Sequence, residues 1–314
     1  MDVAVFGIIV ADLIGEPMDL RHPPAAGGLT RLNSLTLTTG GNVCNVGIAL
    51  SRLGLKSAAV GLVGNDLLGR TIVERLQSEG VDTAGIRTID PAQTSATFVA
   101  VEPGGQRTFF HAPGVTPLID SAVFREAFAV FRQCAWLHLG YFGLLPALTP
   151  QLPRLLYELK QVAPGTRIAM DTLDPPATWE LLEPILPLLD VFAPSRPEGK
   201  ALSGESDPVK MIAFFRQHMP RGLIAIKLDR DGCIIDDDGQ TIHAPAFPVK
   251  VVDTTGAGDA WFAGLLVGLR NQYPLDRCAR LANRVAADCC TAIGGSTGVR
   301  SLEDTLARIG GGTD

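Results

Sequence analysis

An acidic residue set among glycines at the mouth of an apolar run carries the clearest chemistry in this chain. The stretch is Asp253-Thr-Thr-Gly-Ala-Gly-Asp259, between the apolar pair Val251 and Val252 and the apolar segment from Ala260 to Gly264. Gly256 and Gly258 let the backbone turn tightly and approach a ligand closely, and the N–H groups that open a helix have no partner within it. The helix dipole adds roughly half a positive charge at that end, which suits a phosphate. Asp259 falls in the first turn. A carboxylate there can cap the helix, or it can take a proton from a hydroxyl attacking the phosphate, worth about 10²- to 10⁴-fold in rate. The two roles are compatible, and the second is favoured.

A second segment runs Gly40-Gly-Asn-Val-Cys-Asn-Val-Gly-Ile-Ala-Leu-Ser-Arg-Leu-Gly54. Two glycines lead into a helix with Asn42 and Asn45 in its early turns and Val46, Ile48, Ala49 and Leu53 for packing. Asn45 reads either as a satisfied buried amide or, with the Gly41 N–H, as a ligand for substrate hydroxyls. The G-x-x-x-x-G-K-[ST] pattern of a P-loop is absent, and no G-x-G-x-x-G follows the first strand. The glycines from Gly61 to Gly69 mark a strand-to-helix turn without a cofactor role.

The elements that must position these segments alternate. Strands are expected at Val3 to Val10, Ser57 to Val63, Trp136 to Leu139, Arg167 to Asp171, Val191 to Ala193 and Leu223 to Leu228. Helix-period segments lie between them at Asn42 to Leu53, Gly69 to Glu79 and Pro150 to Gln161. This is the pattern of stacked β-α-β units around a largely parallel sheet. The stretches 13–38 and 94–111 break the alternation with period-two patterns, the second turning at Pro103-Gly104-Gly105. They read as antiparallel strands outside the sheet, forming either a plain surface extension or a lid over a cleft at the strand ends. The run from Ala260 to Leu269 is apolar on every face and must be buried, with Gly264 and Gly268 allowing close packing. The Gly-rich tail from Gly310 is expected to fray.

Bulk composition agrees. The 314 residues are 46% hydrophobic and 19% charged, which suits one large α/β unit spanning 1–314. A net charge of -6 without a cluster of Lys and Arg argues against a nucleic-acid or anionic-membrane partner and for a small substrate. The longest apolar run is about half the ~20 residues of a membrane span. Cys44, Cys134, Cys233, Cys278, Cys289 and Cys290 lack metal or redox spacing and read as buried thiols in a reducing, cytoplasmic setting.

Together the Gly40 to Gly54 and Asp253 to Gly264 segments resemble the two signature regions of the ribokinase (pfkB-type) carbohydrate kinase family, and the order of segments along the chain agrees. The resemblance implies a three-layer α/β/α fold with a mostly parallel central sheet and a small β-sheet lid. It implies transfer of the ATP γ-phosphate, with Mg²⁺, to a hydroxyl of a sugar-like substrate. Asp259 would be the base, with Gly256, Ala257 and Gly258 as the anion hole. Asp12, Gly40, Gly41 and Asn45 would hold substrate hydroxyls, and Phe98, Arg107 and Phe110 would cover them from the lid. Ser195, Glu198, Lys227, Asp229, Gly232 and Asn283 would line the nucleotide, Glu198 also ordering Mg²⁺ through water. K⁺ would sit among Asp253, Thr255, Cys289, Ala292 and Gly294, mostly on carbonyl oxygens.

Three departures stand out. The family usually has glycine where this chain has Asp229, commonly has asparagine where it has Ser195, and in ribokinases proper has a substrate-binding glutamate where it has Gly140. Ribose is therefore in doubt as substrate. Nucleoside and phosphosugar kinases of the same family are alternatives, as is a non-catalytic sugar or nucleotide sensor. A homodimer through the lid is a further expectation, since exposed strand edges are otherwise a liability.

Overall fold

The computed structural model describes residues 1–173 and 178–310, so the tail from 311 onward lies outside the described residues. The described strands are β1 (Val3–Phe6), β2 (Val10–Glu16), β3 (Ser34–Gly40), β4 (Ser57–Gly64), β5 (Asp82–Ile89), β6 (Ala96–Val101), β7 (Arg107–Ala112), β8 (Trp136–Phe142), β9 (Arg167–Thr172), β10 (Val191–Phe192), β11 (Leu223–Lys227), β12 (Cys233–Asp237) and β13 (Gln240–Ala244). One sheet has the order β13-β12-β11-β10-β9-β8-β1-β4-β5, and a smaller one the order β3-β2-β6-β7. From β11 to β5 every pair is parallel, which requires the helical crossovers between them. Strands β12 and β13 finish the other edge antiparallel.

Period-two alternation in fully buried strands feeds two apolar layers. Val3 and Val5 of β1 point to the layer shared with the Gly41–Arg52, Ala257–Arg270 and Leu275–Cys289 helices. Ala4 and Phe6 point to the opposite layer, where Phe6 meets Phe124 edge-on at 4.9 Å. The Ala257–Arg270 helix is buried from Asp259 to Gly268. A Cβ on Gly264 would lie 2.8 Å from Ala282 Cα, and one on Gly268 2.8 Å from Cys278 Sγ, so both glycines set its close approach to the next helix. The N-terminal end of this helix is thus held by a rigid core. Among the described residues no helix is long and apolar enough to cross a membrane.

Two expectations are corrected. The apolar run from Val3 to Val10 is not one strand: β1 ends at Phe6, and the chain restarts as β2 in the small sheet. Asn42 ties the break, donating from Nδ2 to the Phe6 carbonyl (3.0 Å) and accepting at Oδ1 from the Ile8 N–H (2.9 Å). The small sheet is not wholly antiparallel either. The β2–β3 and β6–β7 hairpins are, but β2 and β6 pair parallel. Both continue from parallel strands of the main sheet, β1 and β5, and leave it in the same direction.

His138, in the middle of β8, is completely buried against Phe262 of the long helix, with ring centroids 4.4 Å apart. Neither ring nitrogen has a hydrogen-bond partner among the described residues. Burial above all, then the charge of Lys227, lowers its pKa from 6.5 to about 3. The unfolded chain takes up this proton first as pH falls, so the folded state loses stability from 6.5 downward. His138→Phe should remove that loss, narrowing the acid-side deficit by about 2 kcal/mol near pH 5. Thermal unfolding of the two proteins at about pH 8 and about pH 5 checks this; parallel shifts would refute it.

Candidate active site

The turn before the long helix is built as its glycines suggest. Gly256 has φ +73°, and a Cβ there would fall 2.3 Å from the Gly295 carbonyl oxygen, so no other residue fits without displacement. Gly256 is the N-cap of the Ala257–Arg270 helix, which has no side-chain cap. The Ala257 N–H donates to the Thr254 carbonyl at 3.2 Å.

Asp259 therefore does not cap its own helix; its bonds go to other elements. Oδ2 accepts from Asn45 Nδ2 and from the Tyr141 hydroxyl, each at 2.8 Å. Oδ1 is buried and has no partner among the described residues. Burial pushes this carboxyl up from its ordinary range, against the hydrogen bonds of Asn45 and Tyr141 and the charge of Lys227.

On the substrate side the structure brings together Asp12, Gly40, Gly41 and Asn45. Asp12 is not at the end of a main-sheet strand but inside β2, where its carboxylate lies over Gly40: a Cβ on that glycine would fall 2.1 Å from Asp12 Oδ2. Burial, opposed by a hydrogen bond from Thr97 and helped by the Asp253 charge, raises Asp12 to about 6. Gly41 has φ +80° and packs its Cα against the Ile8 carbonyl. Asn45 continues from this turn to Asp259.

The lid residues divide by face. Cross-strand partners share a face of a sheet. Asp12 pairs with Thr38 and Thr97, whereas Leu13 pairs with Leu37 and Phe98, and Phe98 with Phe110. Phe98 and Phe110 therefore lie on the face opposite Asp12, and Phe110 is 53% exposed. Their expected place over the substrate is corrected: one residue along a strand reverses the side-chain direction. Thr38 and Thr97 occupy the Asp12 face instead.

Arg107 does reach the site, but it grips protein. Its guanidinium pairs with the Asp253 carboxylate and donates to Thr255 Oγ1 (2.8 Å), linking the lid to the glycine turn. Asp253 also accepts from the N–H groups of Thr255 (2.8 Å) and Gly294 (2.7 Å). Burial would raise its carboxyl, but these donors hold it below the usual range. Beside it, Cys289 Sγ lies 3.6 Å from the Thr255 carbonyl and 3.3 Å from that of Gly295, and the Ala292 N–H donates to the Cys289 carbonyl at 3.5 Å. For a K⁺ ion the Asp253 carboxylate would be shared with Arg107, and the carbonyl oxygens of Thr255 and Gly295 beside Cys289 could serve as well.

Across the turn, Ser195 and Glu198 form the capping box of the Arg196–Ser203 helix. Glu198 Oε2 accepts from the Ser195 N–H (2.7 Å) and from Thr172 Oγ1 (2.8 Å). Lys227 Nζ stands 3.5 Å from where a Cβ on Gly258 would be and 3.8 Å from Asp171 Oδ2. Asp229 has φ +60°, the left-handed conformation that explains why glycine suits this place, and aspartate is among the few other residues that tolerate it. A Cβ on Gly232 would fall 2.0 Å from the Ala244 carbonyl oxygen. Asn283 is corrected. It is neither exposed nor turned to a nucleotide: its Oδ1 accepts from Trp261 Nε1 (2.9 Å), and its Nδ2 donates to the carbonyls of Ala244 and Pro245 (3.0 Å each).

Two residues of the site escaped sequence reasoning. Tyr141 touches Asp259 directly, and buried Asp171 lies between Tyr141 and Lys227. Burial, countered by Lys227 and reinforced by the charges of Asp259 and Glu198, raises Asp171 to about 7.

The profile described as pfkB family carbohydrate kinase matches residues 1–302. A fructokinase of Klebsiella pneumoniae is 32% identical over 81% of this chain and 84% of its own length, and a ribokinase of Haemophilus influenzae 26% identical over 85% and 86%. The structure of Arabidopsis thaliana ribokinase complexed with ribose and ATP superposes with a TM-score of 0.83, covering 99% of both chains at 21% identity. The chain is thus a phosphotransferase with a hydroxyl acceptor. It belongs to the pfkB family of carbohydrate kinases.

Proposed function

We propose that this protein transfers the γ-phosphoryl group of ATP to a hydroxyl of an unphosphorylated sugar, with Asp259 as the general base. The observation that carries the reading is Asp259 itself: one oxygen is fixed by two donors, the other has no partner among the described residues, and both lie at a helix opening made by Gly256. The acceptor O–H gives its proton to Asp259 as its oxygen bonds to the γ-phosphorus. The bond from that phosphorus to the ADP oxygen breaks, ADP leaves with the electron pair, and the proton later returns to solvent. The N–H groups of Gly256 and Gly258 would meet charge developing on the transferred group, while that of Ala257 is held by the Thr254 carbonyl. When bound, Mg²⁺ would offset the charge of the phosphates. Glu198 suits an outer role toward it, because its two hydrogen bonds fall on Oε2. Asp12 and the Gly41 N–H would hold neighbouring hydroxyls of the sugar.

One feature favours an unphosphorylated acceptor: the pairing of Arg107 with Asp253 removes the lid cation a phosphosugar would need. The unit would act as one kinase domain with its lid, in the cytoplasm. Leu35, Leu37 and Phe110 expose apolar surface on the outer lid face, which supports a homodimer through the lids; monomer mass in light scattering would remove that part. The test of function is ADP release with fructose, ribose, a 2-keto-3-deoxy sugar acid, fructose phosphates and nucleosides, in K⁺ and in Na⁺. Turnover on an unphosphorylated sugar is expected. Turnover on nucleosides alone, or binding without turnover on any compound, would overturn the reading.

A further inference from the structure

Tyr141 sits where β8 departs from regular pairing. Leu139 is opposite Met170 and Phe142 opposite Thr172, so Gly140 and Tyr141 together face the single residue Asp171. This is a β-bulge, a device that re-aims a side chain. Tyr141 takes φ +57°, a conformation rare for a bulky residue. Two contacts hold it there. Its N–H donates to Asp171 Oδ1 at 3.1 Å, and the Cα of Gly140 is pressed on Asn42, where a Cβ would fall 2.4 Å from Nδ2. The strained backbone delivers the phenol to Asp259, and backbone strain of this kind is kept where the surroundings over-determine it.

We propose that Tyr141 is a positioning residue for phosphoryl transfer: with Asn45 it saturates Asp259 Oδ2, leaving Oδ1 as the atom that receives the acceptor's proton. This inference rests on the reading of Asp259 as the base. Without the phenol, Asn45 alone would hold Oδ2, and the carboxylate could rotate so that either oxygen met the substrate. The Tyr141 hydrogen bond also favours the charged form of Asp259. Its loss should shift the pH at which the base loses its proton upward.

The experiment compares Tyr141→Phe, Asp259→Asn and the parent on the best sugar, measuring kcat and KM across pH. For Tyr141→Phe, kcat should fall about tenfold, the acid limb of its pH profile should move to higher pH, and the KM for ATP should stay within about twofold. Replacing Tyr141 with 3-fluorotyrosine, a stronger donor that keeps the ring, should move the limb the other way. If Asp259→Asn is inactive while Tyr141→Phe keeps both kcat and its pH profile, the positioning role is wrong. A fall in kcat without movement of the limb makes Tyr141 structural only, which also overturns it. Should Asp259→Asn itself keep turnover, the base assignment fails, and this inference with it.

Discussion

Asp259→Asn is expected to lower kcat by about 10²- to 10⁴-fold, the range a general base supplies, while the protein gains thermal stability. Both halves follow from the same surroundings. The carboxyl is buried, and its pKa is raised chiefly by that burial, so the charged form is unfavourable in the folded state. An amide of the same shape removes the buried charge but cannot accept the proton of an attacking hydroxyl. The sign is checked by linkage: a group with a raised folded pKa costs stability once pH exceeds its unfolded value, so the gain in Tm should be present at about pH 8 and vanish at about pH 4. ADP release measures the first half and thermal scans at the two pH values the second. A variant that loses activity together with stability would point to misfolding, and one that keeps activity would end the base assignment.

What could be read in the sequence was what rests on backbone conformation. Gly256 and Gly41 announced the two turns because each takes positive φ with a backbone carbonyl pressed on its Cα. The hairpin at Pro103-Gly104-Gly105 was legible through its turn residues, Gly105 taking φ +83°. Face and register were not. In the apolar run from Val3 to Val10 only Gly7, at φ +149°, marks the place where the chain changes sheet, and an Asn42 side chain more than thirty residues away ties that break. Phe98 and Phe110 read as substrate cover only if the strand is offset by one residue. Tyr141 and Asp171 carry no local signal at all: their contacts come from a bulge and from strands meeting across the sheet. Asn283 is a polar residue whose partners, Trp261, Ala244 and Pro245, are likewise remote in sequence.

Lys227 turns that part of the site into a second large effect. At the end of β11 its ammonium lies beside Gly258 and 3.8 Å from Asp171, with Asp259 and Glu198 adding negative charge to the same buried region. Within the proposed reaction this charge meets the transferred phosphate, in a low-dielectric place where fixed charges act strongly. Lys227→Met should therefore reduce kcat by about 10²- to 10³-fold, by analogy with the loss of one preorganised donor. It should also destabilise the fold, slightly at neutral pH and more as pH rises, since the unpaired Asp171 carboxyl takes up a proton rather than remain a buried charge. Asp171, already raised to about 7 with the lysine present, would be pushed higher and become neutral in the variant. Adding Asp171→Asn to Lys227→Met should then recover most of the stability and little of the activity. That split separates structural pairing from catalysis: if the double variant regains turnover as well, Lys227 serves only to neutralise Asp171, and the phosphate is handled by the glycine turn alone.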